Sequence, residues 1–172
     1  MKSRKLTITL FLLYLLALSS FVLFKTKLSF AFLNLRFSFA VSEIKRSINL
    51  IPFGDMLILN GAPSYSEVIY NGLVFVPFGI FLCMLKKKKS FLRLIVPILL
   101  TSLFFEAAQY VFVIGASDIT DVLANTLGGI AGIGMFFILQ KICKENVYKV
   151  VNITALVFVI GLAFIIGITR LL

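Results

Sequence analysis

The chain has 172 residues, of which 60% are hydrophobic and only 14% charged, a balance that a water-soluble domain of this size cannot hide in its core. A net charge of +10 would point to nucleic acid in a soluble protein, but here Lys and Arg fall between apolar runs. Membrane orientation and anionic lipid account for them, and no nucleic-acid partner is expected. With no His, and with Cys83 and Cys143 far apart, the composition argues against a structural disulfide and against zinc and haem sites of the usual kinds; only carboxylates are left to hold a metal, and no cofactor is expected.

In lipid every backbone N–H and C=O must be paired within its own segment, so an apolar run of about 20 residues predicts a helix that crosses the hydrocarbon core. The first run, 6–24, follows Lys2, Arg4 and Lys5 in the manner of a secretory signal. It continues through Phe21, Val22, Leu23 and Phe24 beyond the small residues Ala17, Ser19 and Ser20, which predicts an uncleaved anchor. The segment 25–67 follows as an external loop. Within it Leu33, Leu35, Phe37, Phe39 and Val41 alternate with Asn34, Arg36, Ser38, Ala40 and Ser42, the period of a strand. An interfacial segment whose aromatics dip into the outer leaflet fits best, with helical and extended forms both open.

Four further runs follow, at 68–85, 91–114, 119–139 and 150–169. A lysine run, Lys86 to Lys89, separates the first two, and a very short turn joins the next pair. Pro77 and Pro97 fall inside runs and predict bends. These runs together predict an all-α polytopic membrane helix bundle with about five transmembrane helices, a single domain over 1–172. Eleven positive charges lie on one side of this topology and six elsewhere. The eleven mark the cytoplasm, so the chain is a multi-pass cell-membrane protein with its N-terminus inside and its C-terminus outside.

A charged side chain within such a helix costs roughly 2.5 to 3.5 kcal/mol on insertion scales, so each asks for a partner or a purpose. Glu106 shares a helical face with Ser102 and Gln109, and Asn71 opens the second run. In the fourth, Asp118, Asp121, Asn125, Gly128 and Gly132 recur at intervals of three and four. By the topology above, the polar members of this set lie near the external surface. Plainer roles compete for several of them. Asp118, Ser117 or Thr120 can cap a helix, Ala124, Gly128 and Gly132 form a small-xxx-small packing face, and Glu106 can be a neutral acid bonded to Gln109 or a neighbouring helix.

The order of short motifs then becomes informative. Arg46-Ser47-Ile48-Asn49-Leu50-Ile51-Pro52-Phe53, Asn71 followed by Phe75-Val76-Pro77-Phe78-Gly79, Glu106-Ala107-Ala108-Gln109, and Gly115-Ala116-Ser117-Asp118-Ile119-Thr120-Asp121-Val122 running into Asn125-Thr126-Leu127-Gly128-Gly129 together resemble the VanZ family. The resemblance spans about 46–134. Many members carry Arg just before the aspartates, where this chain has Ala116, which leaves Arg46 as the candidate cation. The resemblance implies a membrane protein of Gram-positive bacteria that raises tolerance to teicoplanin more than to vancomycin. It supplies no mechanism.

Three mechanisms are compatible with these residues. In the first, a non-catalytic factor changes how a lipoglycopeptide, a lipid or a lipid-linked cell-wall precursor is presented at the outer leaflet. Asn49, Asn71, Gln109 and Asn125 then bind polar groups, aromatics hold acyl or isoprenoid chains, and the carboxylates orient Arg46. The second is a membrane-embedded enzyme with Glu106 and Asp121 as acid and base, or with Asp118 and Asp121 sharing a divalent cation. The third is a small transporter or flippase assembled through the glycine face. The sequence pattern fixes no oligomeric state.

Overall fold

The computed structural model describes residues 4–24, 47–54, 58–59, 62–63, 65–86, 90–113 and 116–169. Five long helices dominate it: α1 (Arg4–Phe24), α2 (Ser66–Leu85), α3 (Phe91–Phe112), α4 (Ile119–Cys143) and α5 (Val147–Thr169). Among the described residues four stretches are long and apolar enough to cross a membrane, and the last of them, 119–161, contains α4 and most of α5. Lys144 divides that stretch, because its left-handed backbone (φ 48°) opens a 3-10 turn over Lys144–Asn146. The fourth and fifth helices extend beyond the apolar runs that mark them in the sequence, 119–139 and 150–169. Helical hydrogen bonding continues past the hydrocarbon edge, where the exposed Lys141 and Lys149 can reach water.

The innermost seam joins α2 and α4. A Cβ at Gly128 would overlap the Gly72 carbonyl, and one at Gly132 would overlap the carbonyl of Val76. Backbones in this seam approach as closely as side chains of zero size allow. The face bearing Gly128 and Gly132 is therefore filled by α2 of the same chain, and self-association through it, which a small transporter would need, has no surface to use.

Around the seam the core is aromatic. Phe75 and Phe136 are fully buried, and Phe75 meets the edge of Phe105 with ring centroids 6.3 Å apart. α1 lies over α2 with Phe11 and Tyr14 against Phe78 and Phe81. The Tyr14 hydroxyl donates to the Val74 carbonyl at 2.7 Å, in the turn where Pro77 removes a backbone donor. α5 joins α1 through a buried polar pair, in which the Asn152 amide meets the Thr7 hydroxyl at 3.0 Å. The outward residues Leu16, Leu100, Phe104, Leu127, Ile138 and Phe158 are exposed, as a helix facing lipid requires.

Among the described residues there are also four short strands: β1 (Ile48–Asn49), β2 (Ile58–Leu59), β3 (Ala62–Pro63) and β4 (Ser117–Asp118). β2 and β3 pair antiparallel. β1 runs parallel to β4, with Ile48 opposite Ser117 and Asn49 opposite Asp118. The alternating segment 33–42 lies outside the described residues.

Candidate functional site

The polar face of α4 begins at its N-cap. Asp118 has extended backbone and its carboxylate accepts from the Thr120 amide at 2.7 Å, satisfying one of the orphan donors of the first turn. The other oxygen lies 3.4 Å from the Asn49 amide nitrogen. Asp118 also gives its own backbone N–H to Glu106 Oε2 at 2.9 Å, so α3, β1 and the head of α4 meet at one residue. Capping and bridging are the same contact set here.

One turn into α4, Asp121 is 5% exposed and accepts from the Asn71 amide of α2 at 2.5 Å. Its place in the first turn sets a negative group at the positive end of the helix dipole. One turn further, Asn125 is 1% exposed and donates to the Ser102 hydroxyl of α3 at 2.9 Å. α3 closes the set on its other side, because Gln109 gives its amide N–H to the Val22 carbonyl at the end of α1, at 2.9 Å. Hence the C-terminal turns of α1 and α3, the N-terminal turns of α2 and α4, and β1 all contribute to one polar cluster.

The structure thus brings together Asn49, Asn71, Glu106, Gln109, Asp118, Asp121 and Asn125, while Arg46 lies outside the described residues. Its neighbour Ser47 is described, and the Ser47 carbonyl accepts from the Ser117 amide at 3.0 Å. Two further contributors stand out in the sequence only as a possible cap and as a residue on the face of Glu106. Thr120 accepts at its hydroxyl from the Phe53 amide at 2.9 Å, which docks the turn after β1 onto α4. Ser102 is fully buried and receives Asn125, a role that its i−4 spacing from Glu106 makes accessible. The turn itself is local: Asn49 Oδ1 accepts from Ile51 N, Gly54 N donates to Ile51 O, and Phe53 takes a left-handed backbone.

Chemically the arrangement is rich in acceptors. Glu106 and Asp121 are each held by a donor from a neighbouring element, which fixes their positions and buries them beside α2 and α4. Among the described residues no group of three His, Cys, Asp or Glu side chains is disposed to hold a metal ion. Cys83 and Cys143 are both free thiols.

The cluster lies at the end of the helices away from Lys5, Lys86, Arg93, Lys141, Lys144 and Lys149, which gather at the N-termini of α1, α3 and α5 and the C-termini of α2 and α4. A family model described as VanZ/LLP1 matches residues 11–140, a range that contains the whole cluster and ends before α5. The chain is also 38% identical over 129 residues to Protein VanZ of Enterococcus faecium, covering 75% of this chain and 72% of that protein. No solved structure matches the chain. This membrane protein therefore belongs to the VanZ/LLP1 family.

Proposed function

We propose that the protein raises tolerance to teicoplanin more than to vancomycin, by binding an amphiphile at the outer leaflet and changing how antibiotic, lipid or cell-wall precursor is presented there. The observation that carries this reading is the buried polar cluster, built from four helices and a loop at the end of the helices away from Lys5, Lys86, Lys141, Lys144 and Lys149. The charge asymmetry supports placing the lysine-bearing end in the cytoplasm, which sets the N-terminus inside, the C-terminus outside and the cluster at the external face. The similarity to Protein VanZ supports the link to glycopeptides. In this reading Arg46, two residues before β1 in the sequence, is the cation assigned to the carboxylates. Binding suffices for such an effect, and the hydrogen bonds already held by Glu106 and Asp121 suit fixed positioning groups.

The test is expression in a susceptible Gram-positive host, with teicoplanin and vancomycin tolerance compared at matched protein levels. The wild type is expected to raise teicoplanin tolerance, and Asn125→Ala to lose most of that gain. Glu106→Gln, which keeps an acceptor for the Asp118 amide, is expected to retain it. Unchanged teicoplanin tolerance with the wild type overturns the assignment. Loss with Glu106→Gln at normal levels would replace binding with a mechanism that requires the charge or its proton.

A further inference from the structure

At the lysine-bearing end of the bundle, the corner between α4 and α5 holds an open hollow of about 440 Å³, lined by Gln140, Lys144, Glu145, Val147 and Tyr148. That volume is within the range of small-molecule sites. Tyr148 forms one wall and is held edge-on against the buried Phe136, with ring centroids 6.2 Å apart. Lys144 is an unexpected residue for its place. Its backbone (φ 48°, ψ −120°) lies in the left-handed half of conformational space, which glycine adopts without strain and a residue with a Cβ does not. Glycine would serve a plain turn better, so a lysine held here against strain points to a use for its ammonium.

The surroundings say what that ammonium can meet. Residues 141–149 carry Lys141, Lys144 and Lys149 against Glu145, which leaves a net charge of +2. Arg4 adds to it from α1. The Thr7–Asn152 hydrogen bond sets α1 and α5 in register, and Arg4 lies one turn before Thr7 as Tyr148 lies one turn before Asn152. The hollow also stands at an edge of the hydrocarbon span, because the turn at Lys144 divides the apolar stretch 119–161. On either side of that turn Ile138 and Ile142 of α4 and Ile153 and Val157 of α5 are exposed. A ligand that satisfies both features carries an anion at the level of Lys144 and hydrocarbon beside the two helices. A free anion meets only the first, and a zwitterionic head group brings a cation that the lysines repel.

We infer that this hollow is a site for one anionic phospholipid of the leaflet at the lysine-bearing end, with its phosphate on Lys144 and its acyl chains along α4 and α5. Tyr148 adds a neutral hydroxyl donor, and Glu145 lowers the positive charge without cancelling it. The site is separate from the polar cluster, which lies at the opposite end of the bundle, and does not depend on what that cluster binds.

Native mass spectrometry of the purified full chain in dodecyl maltoside tests this, with dioleoylphosphatidylglycerol, dioleoylphosphatidylcholine and glycerol phosphate as probes. One phosphatidylglycerol is expected to stay bound per chain, about tenfold or more tighter than phosphatidylcholine, since each lysine near an anionic lipid contributes on the order of fivefold. Lys144→Gln is expected to remove about fivefold of that preference, and Lys144→Arg to keep it. Arg93→Gln, which removes a charge at the same end but outside the hollow, should leave it nearly unchanged. Lys144→Gly separates charge from fold: it relieves the left-handed backbone, so it should unfold no earlier than the wild type on heating and yet lose the preference as Lys144→Gln does. Equal affinity for the two lipids, full preference in Lys144→Gln, or an equal loss with Arg93→Gln overturns the site. Glycerol phosphate binding as tightly as the lipid overturns a phospholipid as its occupant.

Discussion

Gly128 and Gly134 lie in the same helix and make opposite demands, which turns one substitution into a quantitative test of the α2–α4 seam. An alanine Cβ at position 128 would fall on the Gly72 carbonyl, a backbone atom that no rotamer change can move. Overpacking a tight interior costs ~1–3 kcal/mol, and a rigid obstacle places this case in the upper part of that range. The helix preference of Ala over Gly returns about 1 kcal/mol, so Gly128→Ala should destabilise by about 2 kcal/mol. At Gly134 a Cβ meets nothing within 4 Å, so Gly134→Ala keeps the propensity gain alone and should stabilise by roughly 0.5–1 kcal/mol. The assay is equilibrium unfolding in dodecyl maltoside with increasing sodium dodecyl sulfate, followed by circular dichroism. If the two variants shift stability in the same direction by similar amounts, the close seam is refuted.

Three further outcomes follow from the contacts. In a double-mutant cycle with Thr7→Val and Asn152→Leu, the pair should show a coupling of about 0.6–1 kcal/mol, and additivity of the single effects would deny the α1–α5 hydrogen bond. Asp118→Ala should cost ~1 kcal/mol through loss of the α4 cap, while Asp118→Asn keeps a capping oxygen and should cost less in the same unfolding assay. For orientation, single cysteines at Ser64 and Ser90 in a cysteine-free background should react with an impermeant thiol reagent in intact cells at position 64 and not at 90; the reverse pattern inverts the proposed topology.

Much of the architecture is legible in the sequence because lipid allows few solutions. An apolar run such as 91–114 has to satisfy its own backbone groups, so its length and composition already predict α3, and the helix ends two residues earlier, at Phe112, followed by a left-handed Val113 that donates back to Gln109 and Tyr110. The shared face of Ser102, Glu106 and Gln109 is legible for the same geometric reason, since residues three and four apart stand above one another on a helix. Their partners are another matter. Gln109 binds a main-chain carbonyl on α1, and a carbonyl leaves no trace in residue identity. The pairing of β1 with β4 involves two residues on each side, too few to show any period.

That short pairing has a mechanical consequence for the cluster. Asp118 sits at once in β4, at the N-cap of α4 and against Glu106, so the loop can hold its position only while the head of α4 stays against α3. Phe53 and Thr120 add a second tie between the loop and α4, four residues after Asn49 and two after Asp118. A change at Asn49 or Thr120 should therefore be felt at Glu106 even though neither hydrogen-bonds to it directly, because all act through the backbone of Asp118 and its first helical turn. The carboxylates are placed by loop and helix jointly, and for that reason the sequence can name the residues of the cluster before it can say what brings them together.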